Sequence, residues 1–97
     1  MPQTIPSDVL ASALAGDALA WDQIYQHLRR PVYHVCLRFS GGDVPRAEDL
    51  AQDVFLRIHA VLRSFDGRSN FRTWATTVAK NLCIDKRRSQ KNRQSLM

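Results

Sequence analysis

Two amphipathic helical patterns of opposite charge occupy the segment from Ala47 to Arg88, and a short glycine-containing stretch separates them. The first pattern carries acidic residues on its polar side, whereas the second carries basic ones. Apolar residues spaced three and four apart are typical of helices that pack on a core. Two faces of opposite charge on one small domain suggest two different partners. The basic face, with aromatics nearby, suggests that one partner is a nucleic acid.

The first pattern predicts a helix from about Val44 to Ser64 with one wide apolar side. At about 100° per residue, that side collects Ala47, Leu50, Ala51, Val54, Ile58, Val61 and Leu62. A second row, on the opposite side, contains Asp49, Gln52, Asp53 and Leu56. This row is either a solvated surface with one exposed leucine, which is common, or a docking stripe. In a docking stripe, Leu56 would be the apolar anchor and the polar groups would orient the partner.

The second pattern predicts a helix from about Phe71 to Arg88. Its apolar side contains Phe71, Trp74, Ala75, Val78 and Leu82. The rest is rich in side chains that contact phosphates and base edges, namely Arg72, Thr73, Thr76, Thr77, Lys80, Asn81, Arg87 and Arg88. This surface is either an ordinary solvated basic face or a nucleic-acid interface. We expect Trp74 in the core rather than as a stacking platform, because it lies on the apolar side.

The stretch from Phe65 to Asn70 predicts a short loop between these helices. Gly67 permits a positive φ, and Ser69 or Asn70 is a suitable N-cap for the following helix. The loop is either a simple connection between helices, or a binding loop whose polar side chains and backbone hold one unstacked base.

The first residues predict a loose start followed by a short helix. Residues 1–6 contain two prolines and should be flexible or extended. Ser7 and Asp8 are expected to cap a helix that ends near Gly16.

A longer helical pattern follows and contains a proline. It begins at Asp17 and reaches about Arg29, where Pro31 should break or kink it before helix resumes through Phe39. Asp43 is then a suitable cap for the next helix.

Positive charge is concentrated towards the C-terminus. Nine Lys or Arg residues and two acids lie between Arg63 and Arg93, whereas five basic and seven acidic residues occupy the rest of the chain. A basic segment continuous with a helix rich in Thr, Asn and Lys favours a polyanionic partner.

Several classes of function are disfavoured by what the sequence lacks. It has no CxxC pair, glycine-rich phosphate loop or nucleophile elbow, so we expect no enzymatic activity, no metal and no cofactor. Cys36 and Cys83 are expected to be reduced and unpaired. No apolar run approaches the roughly 20 residues needed to span a bilayer, and no signal stretch is evident. We therefore expect a cytoplasmic protein without membrane association.

Four short motifs follow one another at set spacing in the second half of the chain. They are Ala47-Glu48-Asp49-Leu50, Gln52-Asp53-Val54-Phe55, Phe71-x-x-Trp74 and Asn81-x-x-Ile84-Asp85-x-x-Arg88. Upstream stand Gly16-Asp17, Trp21, Ile24-Tyr25 and Val32-Tyr33. In this order, residues 7–90 resemble the second conserved region of bacterial extracytoplasmic-function (ECF) sigma factors.

The resemblance implies an all-α fold, a compact bundle of three main helices plus a short N-terminal helix. Residues 7–90 would form the domain, and residues 91–97 would begin an interdomain linker. The family's second domain, a helix-turn-helix, is absent from this sequence. We therefore expect either an excised domain or a short natural protein.

The resemblance also implies a transcription initiation factor that binds RNA polymerase core and recognises and helps to melt the minus-ten promoter element. The residues that would dock on the clamp coiled coil of the largest polymerase subunit are Glu48, Asp49, Gln52, Asp53 and Leu56. Those that would hold the non-template DNA strand are Arg68, Ser69, Asn70, Arg72, Thr73, Thr76, Thr77, Lys80, Asn81, Arg87 and Arg88. An anti-sigma factor is implied as a further partner.

Two other classes of function stay open on the sequence. A basic helical module that binds RNA or duplex DNA without polymerase would explain the basic segment but not the stripe that ends at Leu56. A protein-interaction domain, such as a decoy for an anti-sigma factor, would explain apolar grooves but leave the basic face unused.

Overall fold

The computed structural model describes residues 5–95, with side chains through Lys91, and its regular elements in that range are all helical. The helices are α1 (Ser7–Leu14), α2 (Ala18–Phe39), α3 (Val44–Val61) and α4 (Phe71–Ser95), with one 3₁₀ turn at Leu62–Ser64. α2 packs against α1, α3 and α4, and α3 also packs against α4. The predicted all-α bundle of three long helices and a short first one is confirmed. Over this range no helix has the length and apolar character needed to cross a bilayer.

The core is formed by one side of each long helix. Its largest fully buried side chains are Phe71, Ile24, Leu28, Ile58, Val32, Val54 and Cys36. Within the described part of the chain, no polar or charged side chain is buried. The bundle is therefore held together chiefly by apolar burial, at about 25 cal/mol per Å² removed from water.

Pro31 lies inside an uninterrupted α2, so the expected break is wrong, whereas the alternative of a kink stays a prediction. An interior proline costs about 3 kcal/mol of helix stability, because it removes one donor and crowds the preceding turn. Seven residues of α2 are buried, Pro31 among them. Packing along this face outweighs the local penalty and keeps the two halves of the helix in one element.

Aspartates cap the two helices that follow tight turns, and the cap at Asp43 was predicted. Asp17 and Asp43 each accept a hydrogen bond from a backbone N–H in the first turn of α2 and α3, respectively. Gly16 ends α1 with a φ of 95°, a conformation that glycine adopts without strain. The start of α1 differs from the prediction, because Ser7 is already helical and Pro6 stands at the N-cap without a side-chain cap bond.

α4 is longer than its sequence pattern predicts. It was expected to end near Arg88 but continues to Ser95, and no glycine or proline follows Gly67 to stop it. The assignment of residues 91–97 to an interdomain linker stays a prediction. Residues 1–4 of the expected flexible start, and residues 96–97, lie outside the described residues. Ile5 packs against the core.

Candidate protein and nucleic-acid interfaces

The predicted docking stripe on α3 divides into two edges. Glu48, Gln52 and Leu56, spaced four apart, line a groove between α2 and α3. Asp49 and Asp53, also four apart, line a smaller cleft between α3 and the C-terminal half of α4. Leu56 is 70% exposed, which confirms that it points away from the core. The five residues thus share the outer side of α3, but they face different neighbouring helices.

The α2–α3 groove has a volume of about 860 Å³. Aromatic and apolar side chains dominate its lining, among them Trp21, Tyr25, Tyr33, Phe55, His59 and Leu56. Charged and polar groups in the lining are Arg29, Arg30, Glu48 and Gln52. Exposed aromatic anchors with polar groups beside them are typical of protein–protein interfaces.

Ring contacts hold the wall of this groove in place. Trp21 stacks on His59 with ring centroids 4.3 Å apart, and its indole Nε1 donates a hydrogen bond to the Ala13 carbonyl at 2.9 Å. The rings of Tyr25 and Phe55 lie 4.9 Å apart. Side chains that are already ordered lose less conformational entropy when a partner binds.

Sequence reasoning did not include the α2 side of the groove among the candidate site residues. Trp21, Tyr25, Arg29 and Tyr33 recur every four residues along α2, and this spacing is the signal that could have indicated a lateral surface. Trp21 and Tyr33 of this row also contact the bundle. Both pack against the core but are only half-buried, so they serve the bundle and the groove together.

The α3–α4 edge contains polar contacts within the molecule. The Lys86 ammonium forms an ion pair with the Asp53 carboxylate, and the two side chains are 51% and 39% exposed, respectively. Nearby, Arg46 Nη2 donates to Gln90 Oε1 at 2.6 Å. Asp53, predicted to contact polymerase, therefore already has a partner within the chain. Exposed ion pairs contribute about 0–1 kcal/mol, so an external partner could displace this one.

The loop between α3 and α4 is shaped by two side-chain turns. Asp66 Oδ1 accepts a hydrogen bond from the Arg68 backbone N–H at 2.9 Å. Asn70 Oδ1 accepts from the backbone N–H groups of Arg72 and Thr73, at 2.8 and 3.3 Å. Asn70, rather than Ser69, is thus the N-cap of α4. Its side-chain oxygen serves the helix, while Arg68 and Ser69 are exposed at the outer side of the loop.

A cluster of three aromatic rings lies beneath this loop. Phe65, Phe71 and Trp74 have ring centroids 5.2 to 5.6 Å apart. Phe71 is 1% exposed. Trp74 is half-buried and packs against the core, so the expectation that it is chiefly a packing residue holds only for part of its surface. The cluster fixes the start of α4 relative to the bundle.

The exposed side of α4 carries hydroxyls and positive charges. Thr73, Thr77, Lys80 and Arg88 lie on this side, and Asn81 flanks it. The Thr77 hydroxyl donates to the Thr73 carbonyl one turn back, at 2.9 Å. Such a hydroxyl keeps acceptor capacity for another donor.

Two residues predicted to contact DNA have side chains that already make contacts within the molecule. Thr76 is half-buried, and its hydroxyl is bonded to the carbonyls of Arg72 and Thr73 at 3.0 and 3.1 Å. The Arg87 guanidinium lies 5.0 Å from the ring centroid of Phe39. Arg87 Nη2 also donates to the Phe39 carbonyl at 3.4 Å.

The two cysteines are free and buried where α2 meets α4. Burial raises the pKa of the Cys36 thiol to about 12, and the neighbouring Cys83 adds to the effect. Burial likewise raises the pKa of Cys83. Thiols held in the protonated form are poor nucleophiles and poor metal ligands. Among the described residues, no group of three or more His, Cys, Asp or Glu side chains could hold a metal ion.

Comparison with known proteins identifies a family that matches the chain and several similar proteins. The family described as Sigma-70 region 2 matches residues 24–93. The chain is 38% identical over 76 residues to the ECF RNA polymerase sigma factor SigW of Bacillus subtilis, covering 78% of this chain and 40% of that protein. It is 31% identical over 72 residues to SigX of the same organism, covering 74% of this chain and 34% of that protein. The chain spans less than half the length of these relatives.

Proposed function

Because the chain belongs to the Sigma-70 region 2 family, we propose that it acts in transcription initiation as an ECF sigma factor domain that binds RNA polymerase core and recognises promoter DNA. The observation that supports this proposal is that most of both surfaces lies within the residues matched by the family. α3, the loop after it and the basic face of α4 all lie within the family match, residues 24–93. The surfaces are chemically distinct, and one suits a protein while the other suits a polyanion.

The α2–α3 groove is the surface we assign to polymerase. A groove between two helices accepts a third helix, which would lay its apolar side against the exposed rings and Leu56. Glu48 and Gln52 would orient that helix from the rim. The partner we assign is the clamp coiled coil of the largest polymerase subunit. Asp49 and Asp53 would extend the contact along the α3–α4 edge.

The loop and the exposed side of α4 are the surface we assign to the non-template strand of the minus-ten element. Arg68 and Ser69 stand at the exposed loop, where one unstacked base could be held. Lys80 and Arg88 would contact phosphates, which position the strand but carry no sequence information. Asn70 would act indirectly by capping the helix that presents these groups.

An anti-sigma factor is the second protein partner that we propose for the α2–α3 groove. The exposed ring of Tyr25 and the half-buried ring of Phe55 beside it offer an apolar surface to a helix of either partner. An inhibitor bound there would exclude polymerase by direct competition. The expected result is that an anti-sigma fragment and core polymerase displace one another from the chain.

The test of the proposed function uses the 97-residue chain with two partners in separate assays. Co-purification with RNA polymerase core tests the groove, and binding to single-stranded non-template oligonucleotides with each minus-ten base varied tests the α4 face. We expect both partners to bind, with a preference at one or more bases. If the chain bound oligonucleotides but not polymerase core, the result would support the basic helical module instead. Binding of an anti-sigma factor alone would support a decoy.

A further inference from the structure

We propose that Phe39, at the C-terminal end of α2, is a positioning residue that holds the Arg87 guanidinium ready for a DNA phosphate. This inference rests on the proposed function that α4 binds DNA. Phe39 belongs to neither surface described above, and helical periodicity alone marks it only as an apolar residue before a turn. Its relation to Arg87 arises from packing between residues 48 positions apart.

Two features of Phe39 hold the same guanidinium. The ring lies 5.0 Å from Arg87 Cζ, within the range where an aromatic face attracts a cation. The Phe39 carbonyl accepts from Arg87 Nη2 at 3.4 Å, and as the last residue of α2 it lies at the negative end of the helix dipole. Phe39 itself is half-buried and packed against the core, so the platform is fixed by the bundle.

Side-chain contacts on either side of Arg87 connect this part of α4 to α3. Lys86 is ion-paired with Asp53, and Gln90 is hydrogen-bonded to Arg46. The basic end of α4 is thereby attached to α3 one residue before Arg87 and three residues after it. Because the Arg87 side chain already lies against Phe39, it loses little rotamer freedom when it binds a partner.

Arg87 keeps the capacity to bind a phosphate in this position. A guanidinium has five N–H donors in a planar fork, and the bond to Phe39 engages one nitrogen. The residue is exposed, so the outer edge of the fork is accessible. A guanidinium held on a ring presents that edge in one orientation, which suits a bidentate phosphate contact.

The experiment is a salt titration of binding between the 97-residue chain and a fluorescently labelled single-stranded DNA oligonucleotide. Phe39→Leu keeps apolar bulk but removes the ring, and we expect it to weaken binding about two- to five-fold. Phe39→Tyr keeps the ring face and should bind like the wild type. In an Arg87→Ala background, Phe39→Leu should have no further effect, because the residue acts through Arg87.

Arg87→Lys gives an independent test that leaves Phe39 intact. It retains the charge but lacks the planar group that stacks on a ring, so the expected loss matches that of Phe39→Leu. Melting temperatures of all variants establish that the comparison is made between folded proteins. Equal losses from Phe39→Leu with and without Arg87 would overturn the positioning role, as would wild-type binding by Phe39→Leu.

The same titration separates this inference from the proposed function. If Lys80→Ala weakens binding while Arg87→Ala does not, the positioning role is overturned and the DNA-binding face of α4 stands. If the wild-type chain binds no oligonucleotide, the positioning role and the assignment of α4 to DNA are both overturned.

Discussion

The α2–α3 groove and the exposed side of α4 are both built from amphipathic helices, yet they present different chemical groups to a partner. In the groove, rings are packed on rings, as with Trp21 on His59 and Tyr25 on Phe55. On α4, hydroxyls are bonded to their own helix and cations extend into solvent. The first surface offers shape and apolar area, and the second offers charge. Binding at the groove should therefore vary little with salt, whereas binding at α4 should weaken steeply.

The largest expected effect is a loss of fold stability, which would disrupt both surfaces at once. Phe71→Ala should lower the free energy of unfolding by about 3–5 kcal/mol, because Phe71 is 1% exposed and belongs to the ring cluster that anchors α4. Chemical denaturation measures the change. Phe71→Leu is the control, since it keeps most of the volume and should cost less than about 1.5 kcal/mol. A stable Phe71→Ala protein would show that α4 does not depend on this cluster.

The second-largest expected effect should be confined to the α2–α3 groove. Leu56→Ala should weaken polymerase binding by about 2 kcal/mol, as removal of a central anchor does, and should leave oligonucleotide binding unchanged. Leu19→Ala is the matched control, because Leu19 is 76% exposed and Leu56 is 70% exposed, but only Leu56 lines the groove. Affinity for core polymerase is the measurement. Equal losses from both substitutions would contradict the groove assignment.

A smaller effect should distinguish phosphate contacts from base contacts within the DNA surface. Lys80→Ala should weaken binding to all single-stranded oligonucleotides alike and reduce the salt slope by about 0.7. Arg29→Ala removes an equal charge from the α2–α3 groove and should leave the slope unchanged. Replacing the loop around Ser69 should instead change the preference at one base at nearly constant slope. If loop replacement leaves base preference intact, Thr73, Thr77 and Asn81 become the candidates for base recognition.

Local rules predicted those parts of the fold that depend on one segment at a time. Periodicity located α3 and the start of α4 and placed Leu56 outside the core. Side-chain chemistry identified the cap at Asp43. The break expected at Pro31 failed because the penalty is local, whereas the packing that overrides it comes from the other helices.

The candidate surfaces could be predicted less well from the sequence, because they depend on which helices lie next to one another in the fold. Spacing placed Asp53 and Leu56 in one row, but α4 approaches one edge of α3 and α2 approaches the other. A helical wheel contains no information about these neighbours. The same limit applies to Arg87, whose contact with Phe39 depends on where α2 ends in space. The assignment of individual residues to polymerase or DNA stays a prediction.

The smallest expected effect concerns the ion pair at the α3–α4 edge. Asp53→Asn and Lys86→Gln should each change the free energy of unfolding by no more than about 1 kcal/mol, because both side chains of the ion pair are partly exposed to water. Denaturation of both single variants and the double variant measures the coupling energy between the two side chains, which should shrink in high salt.

Polymerase affinity of the same variants supplies a second measurement. If Asp53 contacts polymerase, then Lys86→Gln should strengthen polymerase binding slightly, because the carboxylate no longer has to leave its internal partner. Weaker polymerase binding by Lys86→Gln would mean that the ion pair itself supports the docking surface, and Asp53 would then belong with the residues that position α4.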